Sequence, residues 1–114
     1  MRYPPKGIRG WGAFVAHSRW ATSVPEYLPE FGDKTICVIL IETAEAVENI
    51  DAIFATEGVD LAIVALFDLS TTLGVSGQFK HPKVLAAVDK IEKAAKRANM
   101  PLGGPFATTK SEVD

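Results

Sequence analysis

Cysteine is nearly missing from this chain: Cys37 is the only one in 114 residues. An intramolecular disulfide is therefore impossible, and a cysteine-based metal cage is excluded. Cys37 lies inside the apolar run ICVILI (residues 36–41), where a thiol acts as a small hydrophobe, and it is given no catalytic role. A surplus of charge is also lacking, because twelve basic residues face fourteen acidic ones for a formal net charge of -2. Without a basic excess, nucleic acid is not an expected partner. No apolar run approaches the roughly 18 to 20 residues that a membrane-spanning helix needs, and the opening MRYPPKGIRG has no apolar block of the secretory kind. A cytoplasmic protein that does not engage a membrane is the expectation.

What is present suits a small folded domain. The chain is 47% hydrophobic and 23% charged, which separates it from disordered sequences and supplies enough apolar surface for a core. A single segment spanning 1–114 is expected, with a polar tail over 105–114.

The N-terminal YPPKGIRGWG mixes two prolines with three glycines and reads as a loop. The stretch SVPEYLPEFGDK predicts a brief helix with Ser23 as cap, Pro25 in the first turn and Gly32 at the stop. Residues 35–41 are β-branched and continuously apolar, the pattern of a central strand covered on both faces. From Ala44 to Glu57, apolar residues at Val47, Ile50, Ile53 and Phe54 predict an amphipathic helix closed near Gly58. Val59 to Phe67 repeats the strand pattern, and strand, helix and strand within about 30 residues is a βαβ unit with parallel pairing. DLSTTLGVSGQFK then reads as a polar loop. His81 and Pro82 open a long helix with Val84, Leu85, Val88, Ile91, Ala95 and Ala98 on one face, closed at Asn99. MPLGGPF (100–106) reads as a third strand or its stub. The fold class is α/β with about three parallel strands.

Two acids follow two apolar runs: Glu42 after ICVILI and Asp68 after LAIVALF. In a βαβ unit both strands point the same way, so residues just past their ends share one sheet edge. Neighbouring strands are about 4.8 Å apart, close enough for two carboxylates to share a cation. Unshared, they would repel and raise one pKa; a hard divalent ion such as Mg²⁺ or Mn²⁺ accepts such a pair and completes its octahedron with water and substrate oxygens. Each acid also has an ordinary reading, Glu42 serving the dipole of the helix it precedes and Asp68 capping a turn.

Several ordered stretches carry a resemblance: RYPPKGIRGWG (2–12), SRW (18–20) with VPEYL (24–28), LIETAEAVENIDAI (40–53), EGVDLAIVALFDLS (57–70) and LGVSGQFKHPKV (73–84). Together they resemble the class II, metal-dependent pyruvate aldolases of the HpcH/HpaI aldolase and citrate lyase family, up to about residue 104. The resemblance implies a partial TIM (β/α)₈ barrel, its fifth to seventh strands. It implies Glu42 and Asp68 as ligands of a divalent ion (Mg, Mn or Co), and Phe67 and Asp68 as residues bordering the substrate. The implied chemistry is reversible aldol cleavage of a 4-hydroxy-2-oxo acid to pyruvate and an aldehyde, through a metal-bound pyruvate enolate. The implied partners are the small-molecule 2-oxo acid and aldehyde, and a homo-oligomer or self-association.

The sequence departs from the family at named places. Ala65, Leu66 and Phe67 stand where Gly-Pro-Ala is usual before the aspartate, and Leu40 replaces a glutamine two residues before Glu42. The family's catalytic histidine and substrate-binding arginine belong to a first half without a counterpart here, since a whole barrel needs at least about 200 residues. His17 reads as a loop or strand-end imidazole, His81 as a helix-start residue, and Arg9 and Arg19 as loop arginines; none is assigned to catalysis. The expectation is an impaired or inactive lyase as the isolated chain, the alternative being a non-catalytic binding or assembly module derived from the same barrel, joined through the strand edges and apolar faces it exposes.

Overall fold

The computed structural model describes residues 3–12, 16–19, 21–31 and 34–104. The chain divides into two compact units, residues 1–37 and 38–114. The expected tail over 105–114 lies outside the described residues.

In the first unit, residues 3–12 form a loop with a turn at 4–6, as the prolines and glycines require. Arg9 is engaged within this unit: its guanidinium lies 4.6 Å from the centre of the Tyr3 ring and donates to Thr35 Oγ1 at 3.2 Å. Helix α1 (Ala16–Arg19) is a single turn that the mixed letters AFVAHSR did not reveal. Helix α2 (Val24–Phe31) begins where Ser23 predicts. The Ser23 carbonyl accepts from the Tyr27 amide at 3.1 Å, while the Glu26 carboxylate accepts from the Ser23 amide at 3.2 Å and from its hydroxyl at 2.6 Å. The Glu26 carboxylate reaching back to the Ser23 amide is the returning half of a capping box. Tyr27 is buried and stacks on Phe31 with ring centres 5.1 Å apart. The expected stop at Gly32 lies outside the described residues.

The second unit contains β1 (Val38–Ile41), α3 (Ala44–Glu48), α4 (Ile50–Phe54), β2 (Leu61–Val64), α5 (Leu66–Thr72), α6 (Pro82–Ala98) and β3 (Leu102–Gly103). The three strands pair in parallel in the order β1-β2-β3, with Ile41 level with Val64 and Ile63 level with Gly103. Two successive crossovers in one direction form the expected α/β arrangement of parallel strands and helices.

One face of this sheet is covered. Ile41 on β1 and Ala62 and Val64 on β2 are buried with Val47, Ile50 and Phe54 of α3 and α4, Leu69 of α5, and Ala87, Ile91, Ala94 and Ala95 of α6. Strand residues alternate between faces, so Val38 and Leu40 point the other way. They remain 46% and 56% exposed. The core carries most of the stability, and truncating a fully buried member such as Ile50 or Ile91 to alanine should cost about 2–5 kcal/mol.

Both strands start later than their apolar runs, β1 at Val38 rather than Thr35 and β2 at Leu61 rather than Val59, and four further features differ from expectation. First, β1 is an edge strand among the described residues and not a central one, because β2 lies between β1 and β3; an apolar run reports the desire for burial, not the neighbours available. Second, the helix expected over 44–57 is two short helices. Asn49 separates them, leaving helical geometry at φ -96 and ψ 14, with both its backbone and its side-chain amide donating to the Glu45 carbonyl at 3.1 and 2.9 Å. Third, β2 ends at Val64 rather than Phe67. Fourth, the stretch expected as a loop after Asp68 is largely α5, whose Ser70, Thr71 and Thr72 hydroxyls donate to carbonyls three or four residues back.

Helix α6 follows its sequence closely. His81 is its N-cap, with Nδ1 accepting from the Lys83 amide at 3.2 Å, and Pro82 occupies the first turn. Asn99 closes the helix in the left-handed region at φ 52, where asparagine is among the residues that tolerate it. The short β3 follows at once, and the Ala62 amide donates to the Pro101 carbonyl at 3.0 Å.

Candidate metal centre

Glu42 and Asp68 sit at the C-terminal edge of the parallel strands, but not in equivalent places. Pairing continues one residue past β2, where the Ala65 amide donates to the Ile41 carbonyl at 3.1 Å. Glu42 follows directly on β1 and is half-buried. Asp68 does not follow directly on β2 as the sequence suggested; the chain turns after Ala65, and Asp68 is the third residue of α5, exposed in its first turn. An acid in that turn is favoured by the amides that a helix start leaves free.

Neighbouring hydroxyls fix the backbone around both acids. Thr43 caps α3, its Oγ1 accepting from the Ala46 amide at 3.0 Å. Thr72, the last residue of α5, accepts from the Ala44 amide at 3.1 Å through Oγ1. The same hydroxyl lies 3.0 Å from the Leu69 carbonyl and 3.5 Å from that of Glu42. One proton cannot serve both carbonyls, and the shorter contact is the stronger. Two residues before Thr72 in α5, Ser70 is fully buried, with Oγ donating to the Phe67 carbonyl at 2.9 Å and accepting from the Gly77 amide at 3.0 Å. Phe67 is 59% exposed beside Asp68 and meets Phe79 edge to face at 4.8 Å. Sequence reasoning passed over Thr72, Ser70 and Phe79; the available signal was the STT triplet following Asp68.

The donor set suits a hard divalent ion. Carboxylate oxygens are the ligands Mg²⁺ and Mn²⁺ prefer, and Mg²⁺ is commonly held by one or two carboxylates with water and substrate completing the shell. Among the described residues no cluster of three or more His, Cys, Asp or Glu is assembled. The sequence-flagged imidazoles lie elsewhere in role: His81 caps α6, and His17 belongs to α1, its Nδ1 buried without a hydrogen bond. Arg19 ends α1 and is exposed. An open groove of about 460 Å³ lined by Ala95, Lys96, Asn99, Met100 and Pro101 lies at the opposite end of the strands, where α6 gives way to β3. Its position separates it from the two acids.

Known proteins place these features in context. A family model for HpcH/HpaI aldolase/citrate lyase matches residues 1–113. The 4-hydroxy-2-oxo-heptane-1,7-dioate aldolase of Escherichia coli is 42% identical over 90 residues, covering 78% of this chain and 34% of the relative. The chain thus spans about a third of the length of the curated relatives it matches. Among solved structures, an HpcH/HpaI aldolase from Desulfitobacterium hafniense DCB-2 superposes with a TM-score of 0.76 at 36% identity, over 98% of this chain and 43% of that one. A family protein from Burkholderia cenocepacia J2315 gives a TM-score of 0.83 at 28% identity, over 98% and 44%. With the family model matching residues 1–113 and the chain aligning with solved family members over 98% of its length, this chain belongs to the HpcH/HpaI aldolase/citrate lyase family.

Proposed function

We propose that this chain is part of a carbon–carbon lyase that reversibly cleaves a 4-hydroxy-2-oxo acid to pyruvate and an aldehyde, with Glu42 and Asp68 as the protein ligands of a divalent cation. The observation that carries the reading is that Glu42 directly follows β1 and Asp68 lies in the first turn of α5, the helix that follows the adjacent parallel strand β2. The segments that follow such strands are where α/β barrels put their chemistry. The family match over residues 1–113 supports treating both units as one stretch of the family domain.

The chain's own residues have separable tasks. Glu42 and Asp68 hold the ion through carboxylate oxygens, and Asp68 with Phe67 borders the substrate. When bound, a Mg²⁺, Mn²⁺ or Co²⁺ ion supplies Lewis-acid polarisation of the substrate's keto oxygen. No histidine here is proposed as the acid or base, since His81 Nδ1 is engaged in capping α6. A positioned acid or base contributes about 10²- to 10⁴-fold, so turnover by the 114-residue chain alone should be reduced by that order. A cytoplasmic location and self-association belong to the same reading.

A second reading, a non-catalytic assembly module derived from the barrel, is favoured by the exposed Val38 and Leu40 on the uncovered sheet face. Release of pyruvate from a 4-hydroxy-2-oxo acid in the presence of Mn²⁺ or Co²⁺, alongside a Mn²⁺ titration followed by electron paramagnetic resonance, separates the two. The lyase reading expects Mn²⁺ binding that falls in Glu42→Gln and in Asp68→Asn by more than the roughly 10- to 100-fold typical of losing an outer-shell partner. Mn²⁺ affinity unchanged in both variants sinks it.

A further inference from the structure

Asp68 is exposed in the first turn of α5, and no hydrogen bond or ion pair engages its carboxylate among the described residues. Where that carboxylate points is therefore set by the backbone that carries it. This backbone starts without the usual support. Helix α5 has seven residues, too few to persist unaided, and its N-cap is Ala65, whose side chain makes no capping bond. The turn is held from within instead: the Phe67 carbonyl accepts from the Ser70 hydroxyl and from the Thr71 hydroxyl, each at 2.9 Å. That carbonyl belongs to the planar peptide group ending in the Asp68 nitrogen, so whatever orients it orients the start of Asp68. The two donors differ in their other duties. Ser70 is fully buried and also accepts from the Gly77 amide, whereas Thr71 is exposed and its hydroxyl has the Phe67 carbonyl as its partner.

We propose that Thr71 is a positioning residue of the candidate centre: with Ser70 it fixes the Phe67–Asp68 peptide, and so the direction in which Asp68 presents its carboxylate to a divalent ion. The inference rests on the lyase reading, in which Asp68 is a ligand. A carboxylate on a loosened turn samples several orientations, and apparent affinity falls by the fraction that is competent to bind. Ser70 still ties the turn when Thr71 is altered, so the loss is partial. It should be about three- to tenfold, below the roughly 10- to 100-fold of losing a direct partner of a metal ligand. A role in helix stability alone works the other way. A threonine bonding back to the carbonyl four residues before it slightly destabilises and bends a helix, and alanine is the better helix former.

The test titrates Mn²⁺ alone into the full chain, followed by electron paramagnetic resonance, with urea unfolding of each variant alongside. Thr71→Val and Thr71→Ala both remove the hydroxyl, the first keeping the branched shape and the second raising helix propensity. Thr71→Ser keeps the hydroxyl. Mn²⁺ affinity should fall about three- to tenfold in Thr71→Val and in Thr71→Ala, and stay within about twofold in Thr71→Ser. The loss in Thr71→Ala should appear although that variant unfolds at no lower urea concentration than the unaltered chain. Affinity unmoved in folded Thr71→Val and Thr71→Ala overturns the inference, while a loss in Asp68→Asn keeps the lyase reading. A loss in Thr71→Ser equal to that in Thr71→Val overturns it as well, since the hydroxyl is then not what matters. Affinity unchanged in Asp68→Asn, or no Mn²⁺ binding by the unaltered chain, overturns the lyase reading and the inference together.

Discussion

Thr72 joins the helix that carries Asp68 to the strand end that carries Glu42: its Oγ1 accepts the Ala44 amide at 3.1 Å from the far end of α5. One hydroxyl thereby bridges the two segments whose acids form the candidate centre. Thr72→Val keeps the shape and removes the acceptor. It should cost about 0.5–1.5 kcal/mol of stability, the usual net worth of one hydrogen bond. It should also weaken Mn²⁺ binding several-fold, because the loop after Glu42 loses its tie to α5. Unfolding by urea reads the first effect and paramagnetic titration the second. An unchanged affinity would mean that the two acids are positioned without help from this bridge.

Ser70 makes a second case. It is fully buried, and its Oγ is the acceptor for the Gly77 amide. In Ser70→Ala the amide of the exposed Gly77 loses its acceptor, and losing one such hydrogen bond costs about 1 kcal/mol. For a domain of this size the melting temperature should fall by roughly 4 °C or more. A smaller loss would show that the Gly77 loop shifts to bring its amide to water, and Phe79 would move with it.

Much of the fold is readable in the sequence because the relevant physics is local. VILI and LAIV are β-branched runs of strand length, and α6 combines a helical apolar period with Pro82 at its start and Asn99 at its end. The proposal of Glu42 and Asp68 as a pair starts from each following an apolar run; the structure keeps Glu42 directly after β1 and puts Asp68 in α5. What escaped notice depends on competition or on neighbours. Ser70, Thr71 and Thr72 look like turn formers, yet each hydroxyl spends its proton on a carbonyl of its own helix, so α5 survives and displaces Asp68 from the strand end. Asn49 looks like a tolerable helix residue, and its backbone instead leaves helical geometry between α3 and α4. Whether an apolar run becomes a central or an edge strand is decided by which strands lie beside it, which no property of Val38 or Leu40 encodes.

Glu26 gives a pH-dependent expectation. The Ser23 hydroxyl, and next its amide, donate to the Glu26 carboxylate and hold its pKa below the ordinary glutamate value, with slight desolvation opposing. A group whose pKa is lower folded than unfolded stabilises above its unfolded pKa, and the contribution is lost as pH falls through the folded one. The start of α2 should therefore loosen only below about pH 4.3. A carbon-detected NMR titration of Glu26 should give a midpoint under that value, moving upward in Ser23→Ala while the remaining amide bond keeps the return incomplete. A midpoint already at the ordinary value in the unaltered chain would remove the capping box from solution.

The uncovered sheet face makes the last expectation. Val38 and Leu40 face away from the helices and stay 46% and 56% exposed on a strand that has a partner on one side only among the described residues. A flat apolar edge with unpaired backbone groups is a template for another chain, so sedimentation velocity should show association that rises with concentration. A lysine at an edge position interrupts such pairing by placing a charge where a second strand would pack. Leu40→Lys should therefore shift the boundary toward monomer, with little loss of stability because its side chain is already more than half in water. The buried neighbour Ile41 offers the contrast: a lysine there would enter the core among Val47, Ile50 and Phe54 and unfold the unit rather than solubilise it. If the unaltered chain sediments as a monomer at every concentration, the exposed face is not an assembly surface, and the non-catalytic module loses the observation that favours it.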